Sequence, residues 1–336
     1  MLFVIAFGIF AVSAFASSKQ PIQVSIRINQ LAIQADENIP ITIFFTNITK
    51  RDVQILRWKT PFDGIKEELF QVTLDGKEVE YIGPDYKRPA PVETDYITLK
   101  AGETIEKTID ISGFYDFSET GSYQISYKSE SQDFSAKAVN LQSENAQTWI
   151  EGRETKVPES ITPDAVSGST AFSGCSTTRQ SSLVTARDGA STYSTAAYNY
   201  LNAGTIGSRY TTWFGTYSST RYNTVKSHFL NIRNAMDTAS VTFNCACTDS
   251  AYAYVYPTQP YTIYLCNAFW SAPSTGTDSK AGTLVHEMSH FNVVASTDDW
   301  AYGQTAAKNL ARTNTKRAVD NADSHEYFAE NTPSLP

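Results

Sequence analysis

The sequence contains few of the residues that usually bind zinc and other transition metals. Its 336 residues include four histidines and four cysteines, and residues 1–174 contain neither type. Because imidazole and thiolate groups are the usual nitrogen and sulfur ligands of zinc, the first half can offer a metal only oxygen ligands. Any histidine or cysteine ligand must therefore come from the second half.

Long hydrophobic runs are also scarce. The apolar run from Leu2 to Val12 is too short to span a bilayer, and it ends at Ala14-Phe15-Ala16, the small-x-small pattern of a signal-peptidase site. We therefore predict a signal peptide over residues 1–16, although no Lys or Arg precedes the run. A buried first strand is the alternative. No later run is long enough for a membrane helix, so we expect a soluble, secreted, extracellular protein with no membrane partner.

The sequence has no excess of positive charge. Residues 1–169 contain 16 basic and 24 acidic residues, whereas residues 170–336 contain 11 of each, so the net charge of −8 belongs to the first half. Nothing in this pattern favours a nucleic-acid partner. The length and the 41% apolar content predict two globular domains.

All four cysteines, Cys175, Cys245, Cys247 and Cys266, lie in the second half. Four cysteines allow three pairings. Cys245 and Cys247 are too close to favour a bridge with each other, so each is expected to pair outward. A structural zinc site on these residues is disfavoured, because the sequence has no C-x2-C pair and the chain resembles a secreted protein.

The pattern along the chain predicts an α+β protein of two domains. Alternating apolar residues such as Ile22, Val24 and Ile26 predict an all-β, immunoglobulin-like sandwich over residues 17–142. Residues 143–174 are polar and punctuated by proline, which is typical of an exposed linker that proteases cleave. The pattern over residues 175–336 predicts a mainly helical domain with a small sheet. Asn47-Ile48-Thr49 is a glycosylation sequon.

The most informative motif is His286-Glu287-Met288-Ser289-His290. Residues four apart lie on one face of a helix, so both histidines can bind one metal ion. Glu287 is then placed to take a proton from the attacking water. Apolar residues at helical spacing support the helix: Ala281, Leu284, Val285, Met288 and Phe291. Thr277 and Asp278 are the predicted caps at its start.

A catalytic zinc usually has a third protein ligand, and no histidine follows at a suitable distance. With the preceding motif, the stretch from Ser296 to Gly303 resembles the aspzincins, the deuterolysin family of zinc metalloendopeptidases. The resemblance implies one zinc per chain, a zincin fold, Asp299 as the third ligand and Tyr302 as a hydrogen-bond donor to the tetrahedral intermediate. Ser296 stands where the family usually has glycine. Asp298 remains a rival ligand.

From about Gly174 to Pro333 the chain resembles the peptidyl-Lys metalloendopeptidases within that family. The similarity lies in these segments: Arg209 to Gly215, Ala253 to Pro257, Gly276 to Ser279, Gly303-Gln304 and Asn321 to Phe328. It implies that Asp323 and Glu326 bind the lysine side chain of a substrate. It also implies disulfides Cys175–Cys245 and Cys247–Cys266, and a mature chain that begins near Ala171.

These features predict a secreted, monomeric zymogen whose propeptide inhibits it and whose mature enzyme cleaves protein or peptide substrates before lysine. The alternatives are a deuterolysin-like endopeptidase of broader specificity and a secreted binding protein with a vestigial protease domain. In another alternative, the sandwich itself is functional and survives maturation. Without histidine or cysteine, the propeptide must inhibit sterically, with a carboxylate, or by presenting a lysine to the acidic pocket. Self-cleavage at Thr155–Lys156 is a further hypothesis.

Overall fold

In the computed structural model, which describes residues 20–132, 138–154 and 168–336, the chain has an N-terminal β region and a mainly helical C-terminal region. The α+β class is thus confirmed. The predicted signal peptide (1–16) and the hypothetical Thr155–Lys156 cleavage site lie outside the described residues. No described helix is both long and apolar enough to cross a membrane.

The N-terminal region consists of short strands connected by turns. Within the described residues they are β1 (Ile22–Arg27), β2 (Ala32–Ile33), β3 (Pro40–Asn47), β4 (Val53–Leu56), β5 (Phe70–Leu74), β6 (Lys77–Glu78), β7 (Asp85–Lys87), β8 (Tyr96–Leu99), β9 (Thr104–Asp110), β10 (Gly121–Gln132), β11 (Ala138–Gln142) and β12 (Ala146–Ile150). Three 3-10 turns cover Arg57–Lys59, Pro61–Asp63 and Glu93–Asp95.

Two main sheets enclose the N-terminal core. One has the order β1-β3-β9; the other has the order β2-β12-β10-β5-β6, with β11 also paired to β10. Strands β4 and β8 form a separate pair. The alternating apolar residues that predicted β1 and β3 face this core, among them Ile22, Val24, Ile41 and Phe45. The predicted β content is confirmed, whereas the immunoglobulin-like topology stays a prediction.

The sheets continue into the range for which the sequence predicts a linker. Strand β12 pairs antiparallel with β10, from Gly121 opposite Ile150 to Ile125 opposite Ala146. At the other end of that range, β13 (Thr170–Ser173) pairs parallel with β14 (Val241–Asn244). Residues 146–150 and 170–173 are therefore strands, and between them the structure describes only residues 151–154 and 168–169.

The C-terminal region packs helices against a small sheet. Its helices are α1 (Thr177–Asn202), α2 (Ser208–Phe214), α3 (Ser219–Thr238), α4 (Asn267–Ser271), α5 (Lys280–His290), α6 (Gln304–Thr313), α7 (Thr315–Val319) and α8 (Ala322–Glu330). Strands β15 (Ala253–Val255) and β16 (Thr262–Leu265) complete a sheet of order β13-β14-β16-β15-β7. The mainly helical content with a small sheet, predicted for this region, is confirmed.

Both implied disulfides are present. Cys175 is bonded to Cys245 and Cys247 to Cys266. They attach the start of α1 and the end of β16 to the segment that follows β14. No described cysteine is free.

The sequon asparagine has a structural role. Asn47 is fully buried, and its Nδ2 donates to the carbonyl oxygens of Arg51, Leu99 and Lys100 at 2.7–3.0 Å. Since N-glycosylation uses that same nitrogen, the folded chain does not present Asn47 as an acceptor.

Candidate active site

Helix α5 brings His286 and His290 together inside the C-terminal core. Every residue from Ala281 to His290 is buried, so the helix has no solvent-facing side. The two Nε2 atoms are 3.1 Å apart, as the spacing of one helical turn predicts. The N-cap is Ser279, whose Oγ accepts from the Gly282 amide at 2.9 Å. The predicted caps, Thr277 and Asp278, are wrong, because Asp278 adopts a positive φ of 51° before the helix begins.

The segment after α5 folds back onto the histidines. Ser296 adopts a φ of 51°, a left-handed conformation that explains why glycine suits this position. Thr297 then bonds back to the helix: its carbonyl oxygen lies 2.7 Å from His290 Nδ1, and its Oγ1 lies 2.6 Å from Ser289 Oγ. The turn thereby aims Asp299 at the histidine pair.

Asp299, and not Asp298, faces the two histidines. Asp299 Oδ1 is 3.3 Å from His286 Nε2, and Oδ2 is 3.6 Å from His290 Nε2. Asp298 Oδ1 instead accepts the Asp299 amide at 2.7 Å. Asp299 alone of the two aspartates meets the geometry of a shared metal site with His286 and His290.

The distances within this triad fit zinc. Ligand atoms about 2.0–2.1 Å from a tetrahedral zinc lie about 3.3 Å from one another, close to the separations of 3.1–3.6 Å seen here. Each histidine has its Nδ1 engaged elsewhere, His290 with Thr297 and His286 with Asp323 Oδ1 at 2.9 Å. Both Nε2 atoms therefore face the candidate metal position, and oxygen partners at Nδ1 are usual for histidines that bind zinc.

Electrostatics around the triad also suit a cation. Burial opposes the charge of Asp299, but the two histidines outweigh it and hold the pKa of this carboxyl well below its usual range. Burial would lower the pKa of His290, yet Asp299 overcomes it and raises that pKa to about 9. A zinc ion here would displace any proton from the two Nε2 atoms and balance the charge of Asp299.

Glu287 and Tyr302 lie beside the triad. Both oxygens of Glu287 are buried and have no hydrogen-bond partner in the described part of the chain, and burial raises its pKa to about 7. Tyr302 Oη lies 3.1 Å from Asp299 Oδ2. Burial raises the pKa of Tyr302 well above its usual range, so this hydroxyl keeps its proton and can donate it in a hydrogen bond.

Asp323 and Glu326, hereafter the acidic pair, lie fully buried on α8 next to the triad. A lysine of the N-terminal region already occupies the space between them. Lys87 Nζ is 3.2 Å from Asp323 Oδ1 and 2.5 Å from Glu326 Oε2, and its side chain is 1% exposed. The ring of Tyr252 lies 5.1 Å from the same ammonium, a cation–π contact. The acidic pair therefore binds a buried lysine in this structure.

Lys87 belongs to strand β7, which lies beside the triad. Strand β7 adds antiparallel to β15, with Tyr86 opposite Tyr254 and Lys87 opposite Ala253. The Lys87 carbonyl accepts the Tyr252 amide at 2.9 Å. The carbonyl oxygen of Tyr86, immediately before the lysine, accepts from Tyr302 Oη at 2.9 Å. The Tyr86–Lys87 peptide bond thus lies beside the triad with its lysine in the acidic pair.

Several residues of this site could not be found from the sequence. Lys87 and Tyr86 reach it only through the β7–β15 pairing, which no local pattern signals, and Tyr252 contacts the lysine from just before β15. Glu330 is another: its Oε1 accepts the Ser279 amide at 2.9 Å and so supports the start of α5. One signal in the sequence points towards Lys87: the first half has no histidine or cysteine, so it must inhibit with another kind of group, such as a lysine.

Comparison with known proteins agrees with this geometry. Residues 199–330 match the aspzincin family model, described as lysine-specific metallo-endopeptidase. The chain is 44% identical to an extracellular protease of Aeromonas hydrophila, covering 89% of each chain. It belongs to the aspzincin family. A peptidyl-Lys metalloendopeptidase of Armillaria mellea is 37% identical over 89% of this chain and 88% of its own.

The solved structure of a zinc peptidase from Grifola frondosa is 50% identical, with a TM-score of 0.47, and covers 48% of this chain and 100% of its own. As a member of the aspzincin family, the protein is a zinc-dependent metalloendopeptidase. The alternative of a binding protein with a vestigial protease domain is therefore wrong.

Proposed function

We propose that this protein is a secreted zymogen whose mature enzyme hydrolyses peptide bonds on the amino side of lysine. One observation carries the proposal: a lysine is buried between Asp323 and Glu326, and the carbonyl before it is hydrogen-bonded to Tyr302. A substrate strand on β15 would place its own lysine and the preceding carbonyl at the same positions. The extracellular relative supports secretion.

In this proposal His286, His290 and Asp299 hold the zinc. When bound, zinc supplies Lewis-acid polarisation of the scissile carbonyl and activation of water. Glu287 accepts the proton of the attacking water and then passes it to the leaving amine. Tyr302 donates a hydrogen bond to the oxygen of the tetrahedral intermediate. The acidic pair holds the lysine ammonium, which fixes the position of the leaving amine.

The specificity is tested with two peptides that differ only after the cleavage site, one with lysine and one with norleucine. Norleucine keeps the aliphatic chain and lacks the ammonium. Removing one partner of a buried charge pair costs about 2 kcal/mol or more. We therefore expect kcat/KM to favour lysine by about 30-fold or more. Equal kcat/KM values would instead support the alternative, a deuterolysin-like enzyme of broader specificity.

The N-terminal region, predicted as an immunoglobulin-like propeptide over residues 17–142, is in this proposal the inhibitor. Lys87 occupies the acidic pair as a substrate lysine would, so latency follows from substrate mimicry. The full chain with Lys87→Ala should hydrolyse lysine peptides before any processing, whereas wild type should not. Lys66→Ala is the matched control, because Lys66 pairs with Asp249 at 2.6 Å across the same boundary but away from the acidic pair.

Full latency of Lys87→Ala would show that the N-terminal region blocks the site sterically. The mass of the active secreted product tests the remaining alternative. A functional sandwich that survives maturation would leave an active product close to full length, whereas a propeptide would be absent from it. The maturation site in the proposed linker, 143–174, is read from the N-terminus of the same product.

A further inference from the structure

We infer that Tyr254 forms a subsite that favours an aromatic residue immediately before the lysine of a substrate. The inference rests on the proposed cleavage before lysine and deepens it, because it concerns the residue on the other side of the same bond.

A row of three tyrosines runs across the sheet. Tyr264 on β16, Tyr254 on β15 and Tyr86 on β7 are directly paired in register. The ring centroids of Tyr254 and Tyr264 are 4.5 Å apart with an interplanar angle of 4°, and those of Tyr86 and Tyr254 are 4.4 Å apart at 14°. Tyr254 is the middle ring, so Tyr264 covers one face and Tyr86 the other.

Two of the three rings belong to the C-terminal region, and the third belongs to the N-terminal region. Tyr264 and Tyr254 belong to neighbouring strands of the C-terminal region and stack independently of β7. Tyr86 belongs to the N-terminal region and stands at the position just before the lysine. When β7 leaves, the outer face of Tyr254 becomes available, and a flat apolar surface of this kind prefers another aromatic ring.

The register of a substrate on β15 determines which of its side chains reaches Tyr254. A substrate on β15 is positioned by two contacts of this site: its lysine in the acidic pair and the preceding carbonyl at Tyr302. These are the contacts made by Lys87 and by the Tyr86 carbonyl. With both in place, antiparallel pairing puts the side chain before the lysine opposite Tyr254, as it does for Tyr86. Successive side chains alternate between faces, so this side chain lies on the opposite face from the lysine.

The test uses the active enzyme obtained from the secreted full chain and peptides that contain Tyr-Lys or Leu-Lys. Leucine matches much of the apolar bulk of tyrosine but has no ring to stack. We expect kcat/KM to favour Tyr-Lys by about threefold to tenfold, the contribution of one aromatic pair. Tyr254→Leu should abolish this preference, and Tyr254→Phe should keep it.

The preference in kcat/KM for lysine over norleucine is measured on the same enzymes. A wild-type enzyme that prefers lysine but treats Tyr-Lys and Leu-Lys alike overturns the subsite, as does a Tyr254→Leu enzyme that keeps the aromatic preference. Loss of the lysine preference in wild type would instead overturn the proposed function. A retained lysine preference in Tyr254→Leu shows that the variant is folded, so the loss of aromatic preference alone supports the inference.

Discussion

At the residue scale, Asp323 is shared between the proposed zinc site and the proposed lysine site. Its Oδ1 is 2.9 Å from His286 Nδ1 and 3.2 Å from Lys87 Nζ, while its Oδ2 accepts the Gly303 amide at 2.6 Å. Glu326 Oε2 lies closer than Asp323 to Lys87 Nζ, at 2.5 Å, but farther from His286 Nδ1, at 3.4 Å. The two carboxylates therefore have unequal roles, although the family resemblance assigns both to the lysine.

This inequality predicts different effects of two conservative substitutions. Glu326→Gln should reduce the preference for lysine over norleucine and leave zinc affinity nearly unchanged. Asp323→Asn should reduce the lysine preference and also weaken zinc binding by about tenfold or more, since outer-shell partners of ligand histidines commonly contribute that much. Zinc affinity is measured by competition with a chelator. Equal zinc affinities in the two variants would contradict the shared role of Asp323.

A second pair of substitutions separates metal binding from proton transfer. Glu287→Gln should retain zinc and lose about 10²-fold to 10⁴-fold in kcat, because a positioned general base contributes that much. Asp299→Ala should lose tightly held zinc as well as activity. The measurements are zinc content after dialysis and single-peptide hydrolysis. Full zinc occupancy in Asp299→Ala would transfer the ligand role to Asp298 or another oxygen.

At the scale of elements, the start of α5 depends on a carboxylate from α8. Glu330 Oε1 accepts both the Ser279 amide and the Ser279 hydroxyl, at 2.9 and 2.8 Å. Ser279 in turn caps the helix through the Gly282 amide. Gly282 has no room for a side chain, because a Cβ there would lie 2.1 Å from Glu330 Oε1. The Glu330 carboxylate therefore both supports the cap of α5 and fills the space beside Gly282.

We predict that Gly282→Ala destabilises the protein, although alanine is normally about 1 kcal/mol better than glycine inside a helix. The added methyl group must displace the carboxylate that holds the cap, and overpacking of this kind costs about 1–3 kcal/mol. Thermal or denaturant unfolding measures the change. Gly113→Ala is the control, since nothing lies within 4 Å of a Cβ at that position. A Gly282→Ala protein as stable as wild type would contradict the steric account.

The elements differ in how far the sequence predicts them. Helix α5 follows from apolar residues at helical spacing and from the metal-binding motif, because both signals are local. Strand β7 has no such signal: it is three residues long, and its lysine meets Asp323 at a separation of 236 positions in the chain. The family resemblance predicts the acidic pair, because it covers α8. It does not predict Lys87, which lies in the other half of the chain.

At the scale of the whole molecule, the two regions are joined by ion pairs despite the net negative charge of the first half. Lys87 meets the acidic pair and Lys66 meets Asp249. In the opposite sense, Glu130 of the N-terminal region makes a two-point contact with Arg317. Local complementarity therefore outweighs the overall charge, which has only a long-range and salt-screened effect.

These ion pairs predict that acid loosens the contact between the regions. The Arg317 hydrogen bond lowers the pKa of Glu130. Burial opposes the charges of Asp249 and Asp323. Lys66 and the Ala251 amide outweigh it at Asp249, and Lys87 and His286 outweigh it at Asp323, so both pKa values are lowered. A carboxylate whose pKa is lowered by docking stabilises the docked state above its ordinary pKa, and that stabilisation is lost as pH falls through the lowered value. Docking should therefore be strong at neutral pH and weaken below about pH 4.

Small-angle scattering on the intact, inactive Glu287→Gln chain measures this loosening as a rise in the radius of gyration. Far-UV circular dichroism on the same samples confirms that both regions remain folded. An Asp249→Asn, Glu130→Gln double variant is the control: its regions should dock more weakly at neutral pH and respond less to acid, because two of the titrating carboxylates are gone. A radius that stays constant to pH 3 in the folded wild-type chain would mean that apolar packing and β7 pairing, and not these charges, hold the N-terminal region on the active site.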